Sequence, residues 1–292
     1  MTPLLRAALF ATLATLFFSC MSILIRHVSG ELHALQIVFL RNLLALAWMM
    51  PWLLKVGASG LKTNRIGMFG IRACISVVGM TSGFWAITLI PISDATALSF
   101  LSPIFATIGA ALFLGEDVRM RRWAAVFIGF AGAMIVLRPG ESMIQLGAIL
   151  ALVNAVGMAA NKLVLKSLTR TERPEAIITY MVLLLTPLTF IPALFVWQTP
   201  SWEALCWMAL LAACGTGGHY CMTRAFGLAD LTVVMPFDFT RLPISALLAF
   251  LFFAEVPTIW TWIGGAVIFA STFYIARREA QVARERAATA RV

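Results

Sequence analysis

The stretch that decides the fold is AALFATLATLFFSCMSILI, which runs from Ala7 to Ile25 without a charged side chain. As a helix, its nineteen residues would be about 28 Å long, close to the thickness of the hydrocarbon core of a bilayer. Arg6 before it is also typical of a signal peptide, but the stretch is longer than a usual signal-peptide core and no small-x-small cleavage site follows. It therefore predicts a first transmembrane helix.

The rest of the chain repeats this apolar pattern. The 292 residues are 61% hydrophobic and 12% charged, with a mean hydropathy of +0.92, whereas a typical soluble domain has about 25% charged residues. A soluble globular domain is excluded, and continuous apolar runs favour helices over barrel strands. We predict an all-α polytopic membrane protein with ten transmembrane helices. The uncharged windows are 4–25, 32–54, 66–91, 94–114, 123–137, 143–165, 176–198, 203–227, 231–253 and 257–276.

The distribution of Lys and Arg predicts the orientation. The chain has 22 Lys and Arg against 13 Asp and Glu. If the N-terminus is cytoplasmic, fifteen of these cations flank the spans on that side and only Arg26 and Arg138 lie on the other. This asymmetry predicts that both termini are cytoplasmic in a bacterial inner membrane. Topology and contact with anionic lipid heads explain the basic charge, so no nucleic acid partner is expected.

A shift of 139 or 140 residues superimposes the two halves of the chain. The matched pairs are Arg26 with Lys166, Ala86 with Ala225, Glu116 with Glu255, Trp123 with Trp262, Arg138 with Arg277 and, within one residue, Pro103 with Pro243. Because each copy holds five spans, the second copy is inverted in the membrane, an architecture typical of alternating-access carriers. We expect a first repeat over residues 1–140, a second over 141–278 and a basic cytoplasmic tail over 279–292.

Motifs near the end of each copy resemble a known family. They are ISDATALSFLSP at 92–103, FLGE at 113–116, GFAG at 129–132 and VLRPG at 136–140, with weaker counterparts VVMP at 233–236, LPIS at 242–245, FAE at 253–255 and GG at 264–265. The chain resembles, over nearly its whole length, EamA-type transporters of the drug/metabolite transporter superfamily. The resemblance implies a central cavity enclosed by helices 1–4 and 6–9, with helices 5 and 10 outside. Similar proteins carry many different solutes, and Ala254, Asp238 and Arg241 depart from the pattern, so no substrate contact can be transferred by motif.

Charged groups deep inside the spans are the first candidates for substrate binding, because each costs about 2.5–3.5 kcal/mol to insert. Arg41 and Arg241 lie near the middle of their spans, and Asp238 precedes Arg241 by three residues on the same helix face. Asp238 and Arg241 would form either a structural ion pair or part of the cavity wall. Arg41 would bind a carboxylate, or would instead pair with Glu31 or cap backbone carbonyls.

Three further cations and one imidazole lie inside the spans. Lys162 and Arg224 are about one turn from the cytoplasmic ends, where long side chains snorkel to the headgroups. Arg72 is about six residues from its end and fits either interpretation. His219 lies in the middle of the eighth span, and histidine is the side chain whose ordinary pKa is nearest to neutral pH. It is a candidate for proton coupling or, equally, a packing residue.

Aromatic, amide and proline side chains complete the candidate site. Trp85 would line the cavity, and Asn154 and Asn161 lie seven residues apart on one helix face. Asn side chains also join membrane helices to one another, which is the alternative interpretation. Pro103 and Pro243 would bend their helices and act in gating.

The sequence predicts a carrier rather than an enzyme. It contains no HExxH or GxxxxGK motif, and no Ser-His-Asp set is suggested by spacing. We expect a secondary active transporter without cofactors or metals for a small metabolite, an amino acid or related carboxylate-bearing solute, in either direction. Its partners would be the solute, membrane lipids and a coupling proton, and the protein would be a monomer or homodimer. The alternatives are a flavin, S-adenosylmethionine or nucleoside-type importer of the same superfamily, a lipid-modifying membrane enzyme and a noncatalytic assembly subunit.

Overall fold

The computed structural model describes residues 3–56, 63–113, 120–138, 146–168, 171–229, 234 and 237–289, and they are built from helices. In chain order these helices are α1 Pro3–Val28, α2 Ala34–Val56, α3 Ile66–Leu89, α4 Ile92–Ser99, α5 Ser102–Phe113, α6 Met120–Leu137, α7 Leu146–Leu168, α8 Pro174–Leu194, α9 Trp202–Leu228, α10 Arg241–Phe253 and α11 Ile259–Thr289.

Among the residues that the structure describes, seven apolar segments are long enough to cross a bilayer, namely α1, α2, α3, the α4–α5 pair, α7, α8 and α11. The shorter apolar helix α6 packs against α11, and α9 and α10 pack against α1. Large apolar side chains such as Phe127, Leu251 and Phe252 are exposed, as expected where a protein surface faces lipid. The predicted class, an all-α polytopic membrane protein, is confirmed.

The fourth predicted span differs from the expectation of one helix over 94–114. It begins at Ile92 and is interrupted between α4 and α5, at Phe100 and Leu101. Pro103 explains the break, because its ring clashes with the carbonyl four residues earlier and it has no N–H to donate. The carbonyl oxygen of Phe100 accepts a hydrogen bond from Oγ1 of Thr272 at 3.2 Å, so the interruption is stabilised by α11.

The ninth predicted span, 231–253, is also divided. A short helical segment at 237–239 is followed by a turn at Thr240, and α10 begins at Arg241 with Pro243 in its first turn. Oγ1 of Thr240 lies 3.3 Å from Oγ1 of Thr15 in α1. Pro103 and Pro243 therefore both lie in the first turn of a helix that follows an interruption, at positions matched by the repeat.

The C-terminal helix α11 continues without a break from Ile259 to Thr289. The tenth predicted span, 257–276, and the described part of the predicted tail, 279–289, therefore lie in one helix. Other predicted features lie outside the described residues: the repeat boundary at 140/141, Glu116, most of the motif at 233–236, the side chain of Lys166 and the loop cations Lys62, Arg119, Arg170 and Arg291.

The 139-residue shift found in the sequence relates two contacts between helices, one between α3 and α7 and one between α1 and α9. A Cβ atom on Gly157 of α7 would lie 2.8 Å from Cα of Gly79 in α3, and one on Gly218 of α9 would lie 2.8 Å from the ring of Phe18 in α1. Adding 139 to Gly79 and subtracting 139 from Gly157 leads to Gly218 and Phe18. The α3–α7 and α1–α9 contacts thus occupy corresponding positions in the two halves.

The same shift relates two points of the contact between α6 and α11 to each other. The two backbones meet at Gly132 and Gly264, where a Cβ on Gly264 would lie 2.6 Å from the carbonyl oxygen of Gly132. Adding 139 to Gly132 and subtracting 139 from Gly264 gives Ser271 and Ala125. Oγ of Ser271 donates a hydrogen bond to the carbonyl of Ala125. Small residues allow this close approach, as is usual between membrane helices.

Candidate functional site

Six ionisable side chains from different helices interact in the interior of the bundle, and we call this group the central charged cluster. His219 interacts electrostatically with Arg41, Arg72 and Arg241, and Lys162 interacts with Asp238 and Arg241. With His219 neutral, the cluster contains four cations and one carboxylate. This excess of positive charge favours a ligand that is anionic or rich in hydrogen-bond acceptors. The members are Arg41 of α2, Arg72 of α3, Lys162 of α7, His219 of α9, Asp238 before α10 and Arg241 of α10.

Arg41 is the most deeply buried member, with no exposed surface. Its Nη1 donates a hydrogen bond to Oδ1 of Asn42 at 2.9 Å, while Nε and Nη2 have no hydrogen-bond partner among the described residues. The alternative pairing with Glu31 is wrong, because that carboxylate accepts hydrogen bonds from the backbone N and Oγ of Ser201 at 2.6 and 2.9 Å. Arg41 therefore retains two free donors.

Gly215 of α9 provides the space for the Arg41 guanidinium. A Cβ atom at Gly215 would lie 2.8 Å from Nη2 and 2.9 Å from Nε of Arg41. Although Gly215, Gly217 and Gly218 lie close together in α9, it is one continuous helix from Trp202 to Leu228. These glycines admit neighbouring side chains instead of bending the helix.

Arg241 and His219 share an aromatic neighbour. The guanidinium carbon of Arg241 lies 5.5 Å from the centre of the Phe18 ring, and the His219 ring meets the edge of Phe18 at 5.2 Å. A cation over an aromatic face is stabilised by the ring's quadrupole. Asp238 and Arg241 interact electrostatically, but they do not form an ion pair within 4.0 Å in the part of the chain that the structure describes.

Arg72, Lys162 and Arg224 occupy three different environments. Arg72 is buried and bridges to α8, with Nη1 3.5 Å from the carbonyl oxygen of Ile177 and Nη2 3.7 Å from Sδ of Met181. Lys162, predicted to snorkel, is half-buried and belongs to the cluster. Arg224 is exposed as expected, with Nη2 2.8 Å from the Tyr220 hydroxyl and 3.4 Å from Glu175.

Asn154 and Asn161 lie at the α3–α7 contact. Oδ1 of Asn161 accepts a hydrogen bond from Oγ of Ser76 at 3.0 Å. Asn154 packs over Gly83, where a Cβ would lie 2.7 Å from its amide carbon, and its Nδ2 lies 3.7 Å from Sδ of Met158. Asn161 thus bonds to α3, and Asn154 packs against α3; contacts between helices were the alternative to lining a cavity.

The contacts described for Trp85 do not include the central charged cluster. Its ring meets His33, just before α2, edge to face at a centroid distance of 5.3 Å. The structure thus brings together Arg41, His219, Asp238 and Arg241 from the predicted site, whereas the described contacts of Trp85 and the two asparagines lie elsewhere.

Sequence reasoning missed Phe18, Gly215, Asn42 and the role of Lys162. Phe18 is one of 21 phenylalanines and Asn42 simply follows Arg41, so neither has a distinguishing pattern. Lys162 was interpreted only from its depth, about one turn from the end of its span, and that depth does not reveal its neighbours.

A second ionic group lies at another end of the molecule. Arg26 at the end of α1 contacts Glu255, between α10 and α11, at 3.3 Å, and also donates to the carbonyl of Ile90. Oδ1 of Asp94 in α4 accepts a hydrogen bond from Oγ1 of Thr261 in α11 at 2.6 Å. These contacts join segments of the first half to segments of the second.

Comparison with known proteins assigns the family. The model of the EamA-like transporter family matches residues 5–138 and again residues 145–277. The chain belongs to the EamA-like transporter family. The resemblance in the motifs is thereby confirmed, and this EamA-like transporter is a multi-pass protein of a bacterial inner membrane that carries a small molecule.

Similar proteins with assigned names are transporters. A riboflavin transporter of Vibrio cholerae is 32% identical, covering 96% of each chain, and one of Rhizobium johnstonii is 33% identical, covering 93% of this chain and 91% of that one. An S-adenosylmethionine uptake transporter of Rickettsia prowazekii is 26% identical over 86% of this chain and 85% of its own. A crystal structure at 20% identity, covering 93% of this chain and 98% of that one, has a TM-score of 0.63 and shares the fold.

Proposed function

We propose that this EamA-like transporter is an alternating-access carrier that takes up riboflavin or a closely similar flavin. The observation that carries the proposal is the full-length similarity to two riboflavin transporters. It favours the flavin alternative over the amino acid or carboxylate solute that the deep arginines first suggested. The relatives named above are transporters, which disfavours a lipid-modifying enzyme.

The charge of the central cluster supports a flavin over S-adenosylmethionine. S-adenosylmethionine carries a sulfonium and an ammonium against one carboxylate, so its net charge is positive. Four cations facing one carboxylate, Asp238, would repel such a solute. Riboflavin is uncharged, and its two ring carbonyls, the ring nitrogens N1 and N5 and the ribityl hydroxyls can all accept hydrogen bonds from Arg and Lys.

The transport mechanism that we propose is a movement of two inverted repeats against each other, residues 1–140 against 141–278. Support comes from the contacts that the 139-residue shift relates to each other. The Gly79–Gly157 contact corresponds to Phe18–Gly218, and the Gly132–Gly264 contact corresponds to Ala125–Ser271. The interruptions near Pro103 and Pro243 occupy matched positions, which is where substrate sites of inverted-repeat carriers form. We place both termini in the cytoplasm on the basis of the Lys and Arg asymmetry.

His219 is our candidate for proton coupling because it is the mid-span imidazole and its ring lies beside Phe18. The positive charges of Arg41, Arg72 and Arg241 oppose a bound proton in this conformation, so a coupled proton would bind in another state of the transport cycle. The test compares the pH dependence of flux in the wild type and His219→Gln. An unchanged pH profile in the variant would exclude coupling through this residue.

The proposed function is tested by counterflow in proteoliposomes that contain only this protein. Vesicles loaded with unlabelled riboflavin are placed in labelled riboflavin, and flavin mononucleotide, S-adenosylmethionine, amino acids and organic acids are added as competitors. We expect label to accumulate and to be displaced by flavins alone. If amino acids or organic acids displace the labelled riboflavin, a carboxylate-bearing solute is again the better interpretation. If the folded protein exchanges no riboflavin, flavin transport is rejected.

A further inference from the structure

Arg41, in the centre of the protein, has two adjacent donor atoms, Nε and Nη2, on one edge of its guanidinium. Only Nη1 of its guanidinium is bound, to Asn42, and Nε and Nη2 lack partners among the residues described. A buried charged group with unsatisfied donors is strongly disfavoured unless something else accepts its hydrogen bonds. The edge therefore requires an acceptor that the described residues do not supply.

The groups packed against this edge include no strong acceptor among the described residues. A Cβ on Gly215 would lie 2.8–2.9 Å from the two nitrogens, so Arg41 packs directly against this glycine, and Sδ of Met21, 3.1 Å from the same Cβ position, is only a weak acceptor. Thr216, the next residue of α9, is also buried with its hydroxyl unpartnered in the described structure. Unsatisfied polar groups from α2 and α9 thus flank this part of the bundle.

Asn42 fixes the direction of the edge. Its Oδ1 accepts from Arg41 Nη1, and its Nδ2 lies 3.7 Å from Sδ of Met80 in α3. A guanidinium held in this way presents Nε–H and Nη2–H side by side and in one plane, which suits two adjacent acceptors on a planar ligand. We regard Asn42 as a positioning residue.

We infer that the Nε–Nη2 edge of Arg41 recognises two adjacent acceptors of the isoalloxazine ring. The ring offers two such pairs: N1 with the C2 carbonyl oxygen, and N5 with the C4 carbonyl oxygen. This inference rests on the proposed flavin transport and names the residue that selects the polar edge of the flavin. Because Arg41 is fully buried here, the flavin reaches it only when α2 and α9 separate, as alternating access requires.

The inference is tested with riboflavin analogues that lack one ring acceptor. In 1-deazariboflavin and 5-deazariboflavin a C–H replaces N1 or N5 with little change of shape. In wild-type proteoliposomes we expect one analogue to compete about tenfold more weakly than riboflavin, the usual effect of losing a hydrogen bond from a charged donor. The other analogue should compete about as well as riboflavin.

Variants of Arg41 test whether this residue causes the tenfold difference between the two analogues. In Arg41→Gln and Arg41→Lys, which lack the parallel donors, riboflavin should bind more weakly and the tenfold preference should disappear. Arg224→Gln is the control, because Arg224 lies outside the central charged cluster and contacts Tyr220 and Glu175, and the preference should persist in it.

The possible failures can be told apart. If the wild type does not exchange riboflavin, the proposed function fails before any analogue is compared. If it exchanges riboflavin but both deaza analogues compete equally well, flavin transport stands and recognition through Arg41 is wrong. A preference that persists in folded Arg41→Lys would also overturn the inference, and the wild-type comparison needs no variant to fold.

Discussion

Nη2 of Arg26 lies 3.3 Å from Oε1 of Glu255 and thereby joins the end of α1 to the segment between α10 and α11. Oε2 of Glu255 also accepts a hydrogen bond from the backbone N of Ile92, at the start of α4, at 3.1 Å. The pair connects the two halves of the chain away from the central charged cluster, so its strength contributes to how tightly the halves are held together.

Neutralising this ion pair should reduce stability. In Glu255→Gln the amide oxygen still accepts from Ile92, but the attraction to Arg26 is lost, and we expect a loss of about 1 kcal/mol. The measurement is reversible unfolding in mixed detergent micelles. A double-mutant cycle with Arg26→Gln isolates the pairwise part.

The exposed pair Arg224–Glu175, at 3.4 Å with 47% of the Arg224 side chain exposed, is the control for that prediction. Solvent screens it more strongly, so Glu175→Gln should change stability less than Glu255→Gln. An equal or larger effect of Glu175→Gln would contradict the structural importance assigned to the Arg26–Glu255 pair.

Adding a methyl group at Gly264 should separate α6 from α11. The new Cβ would lie 2.6 Å from the carbonyl oxygen of Gly132, a backbone atom that can move only with its helix, so we expect Gly264→Ala to cost about 1–3 kcal/mol. Gly109→Ala is the control, since nothing lies within 4 Å of its Cβ position and Ala favours helix by up to about 1 kcal/mol. Unfolding midpoints should move in opposite directions, and a shift of the same sign in both would refute the packing argument.

Gly215→Ala should affect transport more than folding. Its Cβ would displace the end of the flexible Arg41 side chain, which can move, whereas the Cβ of Gly218→Ala would meet the rigid ring of Phe18 at 2.8 Å. We therefore expect Gly215→Ala to raise the KM for riboflavin at nearly unchanged stability and Gly218→Ala to lower stability. Counterflow kinetics and unfolding on the same preparations check both, and an unchanged KM in Gly215→Ala would count against a substrate contact of Arg41.

The hydroxyl of Thr272 should stabilise the interruption between α4 and α5. Thr272→Val has the same shape but leaves the buried carbonyl of Phe100 without its donor at 3.2 Å, which should cost about 1–3 kcal/mol. Thr272→Ser keeps the donor and should cost less. Unfolding of the two variants gives the comparison, and equal stability of Thr272→Val and wild type would show that the carbonyl is satisfied otherwise.

Much of the architecture could be predicted because the bilayer imposes it. Lipid satisfies no backbone hydrogen bond, so every long uncharged stretch must be a helix, and α1, α2, α7 and α9 fall within about three residues of the predicted windows. The family could be predicted because each of its motifs is a short continuous stretch of sequence, so it can be found without knowing the tertiary contacts.

The sequence by itself determined the helical membrane fold and the approximate spans, and it named Arg41, Asp238, His219 and Arg241 as site candidates. Only the tertiary structure decided which residues meet: Gly215 makes space for Arg41, Phe18 lies under Arg241, and Glu31 binds Ser201 instead of Arg41. Such pairings depend on the rotation and depth of one helix against another. These are set by many small packing contacts between distant parts of the chain, and hydrophobicity along a single helix carries little of that information.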